Sequence, residues 1–271
     1  MNNIIKKSMG WTVSIISFGF TVVPETVFSK VCLSKVFSYE TNVIINRIVI
    51  LLLIFVISLI ITVIYYWRRK KVVIKGKNYQ IQIEYGDIFE YKKSKKVITF
   101  DECFTTCVGD LPDQIKPTSI CGQFLVKNPT CNITKLISHV QLKPAKGKSD
   151  YNKQDKYESG RLLLYKDYLL MAFAKLDKSG LGKMTRDEYI KALSVLWEEI
   201  NKYYGQTDVC VPIIGSGLTR IDGSDITQQE LLDIMISSYK LSTYKIKNPQ
   251  KLHIVCKKQA DFSLNRIGEN L

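Results

Sequence analysis

The hydrophobic positions along the chain fall into two regimes. From Ile48 to Trp67 they run without a charge, IVILLLIFVISLIITVIYYW, and only Ser58 and Thr62 stand as small polar breaks. A stretch of ~20 residues rising ~1.5 Å each crosses the hydrocarbon core of a bilayer, so the pattern predicts a membrane-spanning helix. Tyr65, Tyr66 and Trp67 close the run where an interfacial aromatic belt belongs, and Arg68, Arg69, Lys70 and Lys71 follow at once. Such a cluster stays on the cytoplasmic side. A weaker run, Ser8–Pro24, lies uncharged between Lys7 and Glu25 but carries Thr12, Ser14, Ser17 and Thr21. With Lys6 and Lys7 before it, this run has the outline of a signal peptide, yet an Ala-x-Ala cleavage site is missing, because the first alanine of the chain is Ala145. Either the segment spans, giving a helical hairpin with both ends on the basic cytoplasmic side, or it lies in the interface; the positive-inside bias favours the hairpin. Residues 1–71 are therefore expected to form a membrane region with segments at about 8–24 and 46–67, and residues 72–271 a cytoplasmic domain.

Beyond Val72 the pattern shortens and alternates. Tyr79–Tyr85 switches polar and apolar with period two and stops at Gly86-Asp87, which predicts a strand ending in a turn. Lys96–Phe100 reads as a second strand followed by Asp101 and Glu102, and Lys143–Tyr157 as a polar surface loop. Leu162–Phe173 fits either a strand pair turning at Lys166-Asp167 or a helix. Thr185–Tyr204 places Tyr189, Ala192, Leu193, Leu196, Trp197 and Ile200 on one stripe and predicts an amphipathic helix. A buried strand over Asp208–Ile214, a helix over Thr227–Tyr239 and a last strand over Lys251–Cys256 complete an α/β domain of ordinary single-domain size.

The net charge of +14 changes the picture only in part. It suits an acidic partner, but the Lys and Arg concentrate at 68–77 and at Lys92–Lys96, without a nucleic-acid-binding motif. The lipid bilayer is the expected partner of those cations, and nucleic acid is not. Seven cysteines, an odd and scattered set, suit a reducing compartment, and no metal site or cofactor is expected from their spacing. Asn132-Ile133-Thr134 fits a glycosylation sequon that a cytoplasmic face leaves unused. Asp177–Glu188, DKSGLGKMTRDE, matches several positions of a calcium loop, yet Leu181 offers no side-chain oxygen and Lys178, Lys183 and Arg186 surround it with positive charge. A helix-to-helix connection capped by Thr185 is the expected reading there.

The candidate chemistry sits in Val209–Gly223, VCVPIIGSGLTRIDG. A strand ends in three small residues, and a helix is expected to begin near Asp225, capped by it with Gln228. Glycines let successive N–H groups converge on an anion, and Arg220 adds a bidentate charge; the loop is nevertheless neither a dinucleotide fingerprint nor a Walker sequence, and alone it fits an ordinary turn as well. Asp87, at the earlier strand end, has a carboxylate able to accept from an exocyclic amine such as that of adenine, or to cap a turn. Together the two strand ends describe a crevice for a dinucleotide-like ligand.

These two stretches resemble the two ends of a macro domain, an ADP-ribose-binding module with a three-layer α/β/α fold and a mixed sheet. The resemblance implies that Asp87 and Ile88 contact adenine and that Gly215, Ser216, Gly217, Leu218, Thr219 and Arg220 wrap the diphosphate. With membrane segments in front, the chain is similar to the membrane-anchored macro-domain effectors of type II Thoeris anti-phage systems. That similarity implies a nucleotide-derived second messenger from a TIR-domain enzyme, homo-oligomerisation on ligand binding, and damage to the cell inner membrane. Hydrolytic macro domains carry an Asn-rich loop after their second strand, whereas here Asp101, Glu102, Cys103 and Phe104 follow the strand. A non-enzymatic sensor is therefore expected, with Asp101 and Glu102 selecting a group on the distal ribose of an ADP-ribose conjugate. The rival readings are an anchored ADP-ribose hydrolase or phosphatase using Asp101, Glu102 or Cys103, and a calcium-regulated domain using Asp177–Glu188.

Overall fold

The computed structural model describes residues 2–22, 38–111, 114–151, 153–217, 219–221, 226–259 and 262–267. The chain divides into two compact units, Met1–Arg69 and Lys70–Leu271. In the first, helix α1 (Asn2–Val22) packs against helix α2 (Tyr39–Trp67), whose N-cap Ser38 accepts from the Thr41 amide. Ser58 Oγ of α2 donates to the Ser8 carbonyl of α1 at 3.2 Å, and Ser8, Thr12, Ser58 and Thr62 are all buried. Leu52, Leu53, Ile57, Ile60 and Ile61 face outward. α2 is long and apolar enough to cross a membrane from Glu40 to Trp67. The expected turn of the hairpin falls in 23–37, outside the described residues, as does Pro24.

The second unit is built on one sheet. In its strand order, β1 (Lys71–Lys75), β2 (Gln80–Tyr85), β9 (Leu252–Cys256), β7 (Asp208–Pro212), β3 (Ser94–Asp101) and β5 (Tyr168–Leu176) lie side by side, followed by β6 (Gly182–Met184) and β8 (Arg220–Ile221). The strands from β2 to β5 run parallel, while β1 and β6 pair antiparallel with β2 and β5. β4 (Leu162–Tyr165) forms an antiparallel hairpin with β5 through Lys166, whose φ of 53° makes the tight turn. Leu162–Phe173 is thus a strand pair.

Each sheet face is covered. Helices α5 (Arg186–Tyr203) and α6 (Gln228–Leu241) bury Leu193, Leu196, Trp197, Leu231, Leu232 and Met235 against Ile81, Ile83, Val209 and Ile254. On the other face Phe124 of α3 (Ile120–Lys127) and Ile133 of α4 (Ile133–Val140) meet Ile98, Phe100 and Leu170. The result is the expected three-layer α/β/α arrangement with a mixed sheet.

Two local expectations are corrected. The Asp177–Glu188 stretch is not a helix-to-helix connection but the β5–β6 hairpin followed by α5, because Asp177 Oδ1 accepts from the Ser179 and Leu181 amides and closes a turn. Thr185 does cap α5, in a reciprocal pair with Glu188. Helix α6 is capped by Thr227, with Glu230 returning a carboxylate to the Thr227 amide, rather than by Asp225 with Gln228. The Thr-x-x-Glu spacing closes both halves of that box. Asp225 lies outside the described residues.

Candidate functional site

The parallel strands β2, β9, β7 and β3 all end on one edge of the sheet, the place where open α/β sheets hold ligands. At the end of β2 the Gly86 amide donates to the Cys256 carbonyl at 3.2 Å, tying the turn to β9. Asp87 follows, exposed, and its Oδ1 accepts from the Phe89 amide at 3.0 Å, capping the short 3-10 turn Ile88–Glu90. Ile88 is buried with Cys210 and Val255, which fixes the turn on the sheet. A cleft of about 220 Å³ opens beside it, lined by Asp87, Ile88, Phe89, Gln123, Pro212 and Lys257 among others.

The glycine loop leaves the end of β7. Pro212, which has no N–H to give a ladder, ends the strand, and Ile213 and Ile214 continue buried. Tyr189 Oη donates to the Ile214 carbonyl at 2.9 Å, and Ser216 Oγ donates to the Ile213 carbonyl at 2.7 Å. The loop is pinned from beneath. Gly215 turns at φ 82°, and a Cβ there would stand 3.2 Å from Ile221 Cδ1, so the sharp bend needs glycine. No atom of the described residues comes within 4 Å of where a Cβ on Gly217 would stand. A second cleft of about 230 Å³ is bounded by Gly215, Ser216, Gly217 and Thr219 on one side, and by Thr227, Gln228 and Gln259 on the other. The N-terminus of α6 therefore faces the glycine loop, bringing partial positive charge and spare N–H groups to the cleft. Gln228 is 6% exposed and its Oε1 has no hydrogen-bond partner among the described residues.

The two clefts have no lining residue in common, but both take residues from the segments that follow β7 and β9. Pro212 lines one and Gly215 the other; Lys257 lines one and Gln259 the other. Both therefore open near the carboxyl ends of β9 and β7. Of the residues singled out by sequence, Asp87 and Ile88 line the first cleft, and Gly215, Ser216, Gly217 and Thr219 the second. Leu218 lies outside the described residues. Arg220 opens β8, exposed, and does not line the cleft at the loop. Asp101 Oδ1 accepts from the Cys103 and Thr105 amides, holding the turn after β3. Glu102 is 3% exposed, accepts from Ser149 Oγ at 2.7 Å and from the Leu176 amide, and borders a different cleft. Phe89, Gln123, Gln228, Lys257 and Gln259 were missed by sequence reasoning, and only Gln228 had a local signal, its place in the first turn behind a Thr-x-x-Glu cap.

Electrostatics bears on the rival chemistries. Burial pushes the Cys103 thiol up to about 11, helped by Asp101 and Glu102 and opposed by Ser149, so it stays protonated at neutral pH and is a poor nucleophile. Asp177 is held well below the usual carboxylate range by Lys183, whose Nζ stands 2.8 Å from Oδ2, and by the turn hydrogen bonds. An ammonium thus occupies the side of Asp177 that a calcium ion would need.

The family model described as Thoeris protein ThsA, Macro domain, matches residues 81–257. Thoeris protein ThsA of Bacillus amyloliquefaciens (strain Y2) is 31% identical over 195 residues, which is 69% of this chain. The chain spans 65% of the length of that relative. Among solved structures, a macrodomain of Oceanobacillus iheyensis superposes with a TM-score of 0.46 at 10% identity, covering 70% of this chain and 91% of its own. The macrodomain of Thermus aquaticus DarG gives 0.40 at 12%, covering 66% and 98%. Thermosipho africanus DarTG, in complex with ADP-ribose, gives 0.42 at 14%, covering 72% and 46%.

Proposed function

The chain belongs to the Thoeris ThsA macro-domain family, and from that premise we propose that it is a membrane-anchored sensor whose cytoplasmic crevice binds an ADP-ribose-derived signal. The observation that carries this reading is the pair of clefts at the strand ends, one beside the Asp87 carboxylate and the other between a glycine loop and a helix N-terminus; we take them as the two ends of one crevice. Asp87 Oδ1 serves the turn, and its second oxygen accepts from the adenine amine. The Gly217 amide, the Thr219 region and the start of α6 take the diphosphate, with Ser216 shaping the loop through its bonds to the Ile213 carbonyl, and Gln228 Oε1 accepts from a ribose hydroxyl. Asp101 contributes through the turn it holds, and Glu102 through the Ser149 contact behind that turn.

The rest of the proposal follows from the resemblance to type II Thoeris effectors and from the first unit. Helix α2, with α1 beside it, anchors the chain in the cell inner membrane with Arg68–Lys71 on the cytoplasmic side. A TIR-domain enzyme makes the signal after infection, and bound signal favours a homo-oligomer whose membrane helices disrupt the bilayer, an abortive response. Ligand drives this only as far as it binds the assembled state more tightly.

The test is calorimetric titration of the full chain in detergent micelles with ADP-ribose and its conjugates. Wild type binds, Asp87→Ala loses about tenfold, and Gly217→Glu, which places a carboxylate where the diphosphate sits, binds too weakly to measure. Equal binding by all three proteins overturns the crevice. Steady release of product from ADP-ribose overturns the sensor reading in favour of a hydrolase.

A further inference from the structure

A further cleft of the second unit shares no lining residue with the two strand-end clefts. It is a cleft of about 920 Å³ between the 140–161 segment and α5. Seven cations and four carboxylates line it, a positive balance. The carboxylates are already engaged. Glu199 and Glu158 hold Arg161, Glu199 also holds Lys202, Glu158 holds Lys191, and Glu188 holds Lys175. Glu102 accepts from Ser149 and the Leu176 amide. Lys143, Lys146 and Lys156 remain, on one wall, with no ion pair among the described residues.

That wall is built. The Ala145 amide donates to the Lys156 carbonyl at 2.7 Å and the Ser149 amide to the Gln154 carbonyl at 3.0 Å, so the two arms of the segment run together. Lys148 and Asp155 close it with an ion pair at 2.6 Å. Its tip is fastened inward by fully buried Ser149, bonded to Glu102. Three cations thereby line one cleft from a braced segment, and a multivalent anion can meet them together. The same cleft has an apolar flank of Leu142, Pro144, Tyr157 and Tyr203.

We propose that this cleft is a second ligand site, taking a multiply charged phosphate-bearing molecule whose phosphates meet Lys143, Lys146 and Lys156 and whose apolar portion rests on the tyrosine flank. Lysines suit phosphate as mobile point charges, and the volume is that of a small-molecule pocket. Soluble nucleotides and lipid headgroups share this chemistry.

The experiment uses the full chain in detergent micelles with Gly217→Glu in the background, which removes diphosphate binding at the crevice, and titrates inorganic tripolyphosphate by calorimetry. The expected result is one remaining site, weakened about tenfold or more by Lys143→Gln/Lys146→Gln/Lys156→Gln and weakened as salt rises. Lys156→Gln alone, at the half-buried centre of the wall, loses part of that affinity and guards against an unfolded triple variant. Displacement of tripolyphosphate by ATP assigns the site to a soluble nucleotide; displacement by short-chain phosphatidic acid but not ATP assigns it to a headgroup. No binding in the Gly217→Glu background, or equal binding by the folded lysine variants, overturns the proposal.

Discussion

Along α2, Leu52, Leu53, Ile57, Ile60 and Ile61 point outward, whereas Asn46, Ser58 and Thr62 are buried. Along α5 the order is reversed: Tyr189, Leu193, Leu196 and Trp197 are buried, and Asp187, Lys191, Ser194 and Asn201 are exposed. Both helices obey the same rule with different surroundings. In water a helix gains by hiding its apolar stripe, whereas between lipid tails nothing is gained by hiding leucine, and small polar groups are what must find partners. Ser58 finds the Ser8 carbonyl and Thr62 the Ser58 carbonyl, within and between α1 and α2. The first unit shows its apolar side chains and buries small polar ones, and the second does the reverse.

Substitutions that exchange the two arrangements break the comparison most strongly. Trp197 is 1% exposed, donates from Nε1 to Ser238 Oγ at 3.0 Å and meets the Tyr239 ring edge-on at 5.0 Å. Trp197→Ala is expected to cost the second unit ~3–5 kcal/mol, read as a lowered urea midpoint of the full chain in micelles. A loss under about 1 kcal/mol would place the core elsewhere. Leu53→Arg, on the outward face of α2, is expected to cost ~2.5–3.5 kcal/mol of insertion, read as release from membranes on alkaline extraction. Ser194→Arg on α5 should leave that extraction unchanged. If both variants stay membrane-bound to the same degree, α2 does not face lipid.

Within the second unit the glycine loop sharpens the contrast between support and site. Gly215→Ala forces a Cβ into a φ of 82° and against Ile221, an expected loss of ~1–3 kcal/mol in thermal melts. Gly217→Ala meets open space and should change stability by less than ~0.5 kcal/mol. The smallest effect is one of pH. Glu84 is pushed up by burial, but hydrogen bonds from His253, Gln82 and Tyr91 outweigh this and hold it below its ordinary 4.5. A lowered carboxylate binds its proton less readily in the folded state, so the stability it adds is complete above about pH 4.5 and fades as pH falls through the folded value. Glu84→Gln should flatten that acid limb of the melting temperature; an unaltered limb would show that Glu84 does not carry it.

Much of this was legible in the sequence where periodicity and spacing are strong. The α5 stripe, the period-two strand before Gly86 and the apolar run of α2 each reflect one dominant physical term, burial on a face or transfer into lipid. Short elements were not legible. β6 and β8 contain only Gly182–Met184 and Arg220–Ile221, and they exist because they pair with each other and with the end of β5, a long-range fact. The same limit applied to the site. Asp87 and Gly215–Gly217 announced themselves by turn chemistry, but Gln123, Lys257 and Gln259 reach the crevice only through the sheet order, and Asp101 and Glu102 are claimed by local backbone amides and by Ser149. The strand pattern over Lys251–Cys256 likewise does not announce that Glu84 and Asp208 hold both ring nitrogens of His253, at 2.8 and 3.1 Å.

The central claim is that two strand-end clefts are one crevice occupied by one ligand. Amide hydrogen exchange of the full chain in micelles, followed across a titration with ADP-ribose, tests it most directly. The account predicts that the amides of 86–89 and 213–217 gain protection together, with the same midpoint. Protection of one segment without the other, or of neither at saturating ADP-ribose, would contradict it.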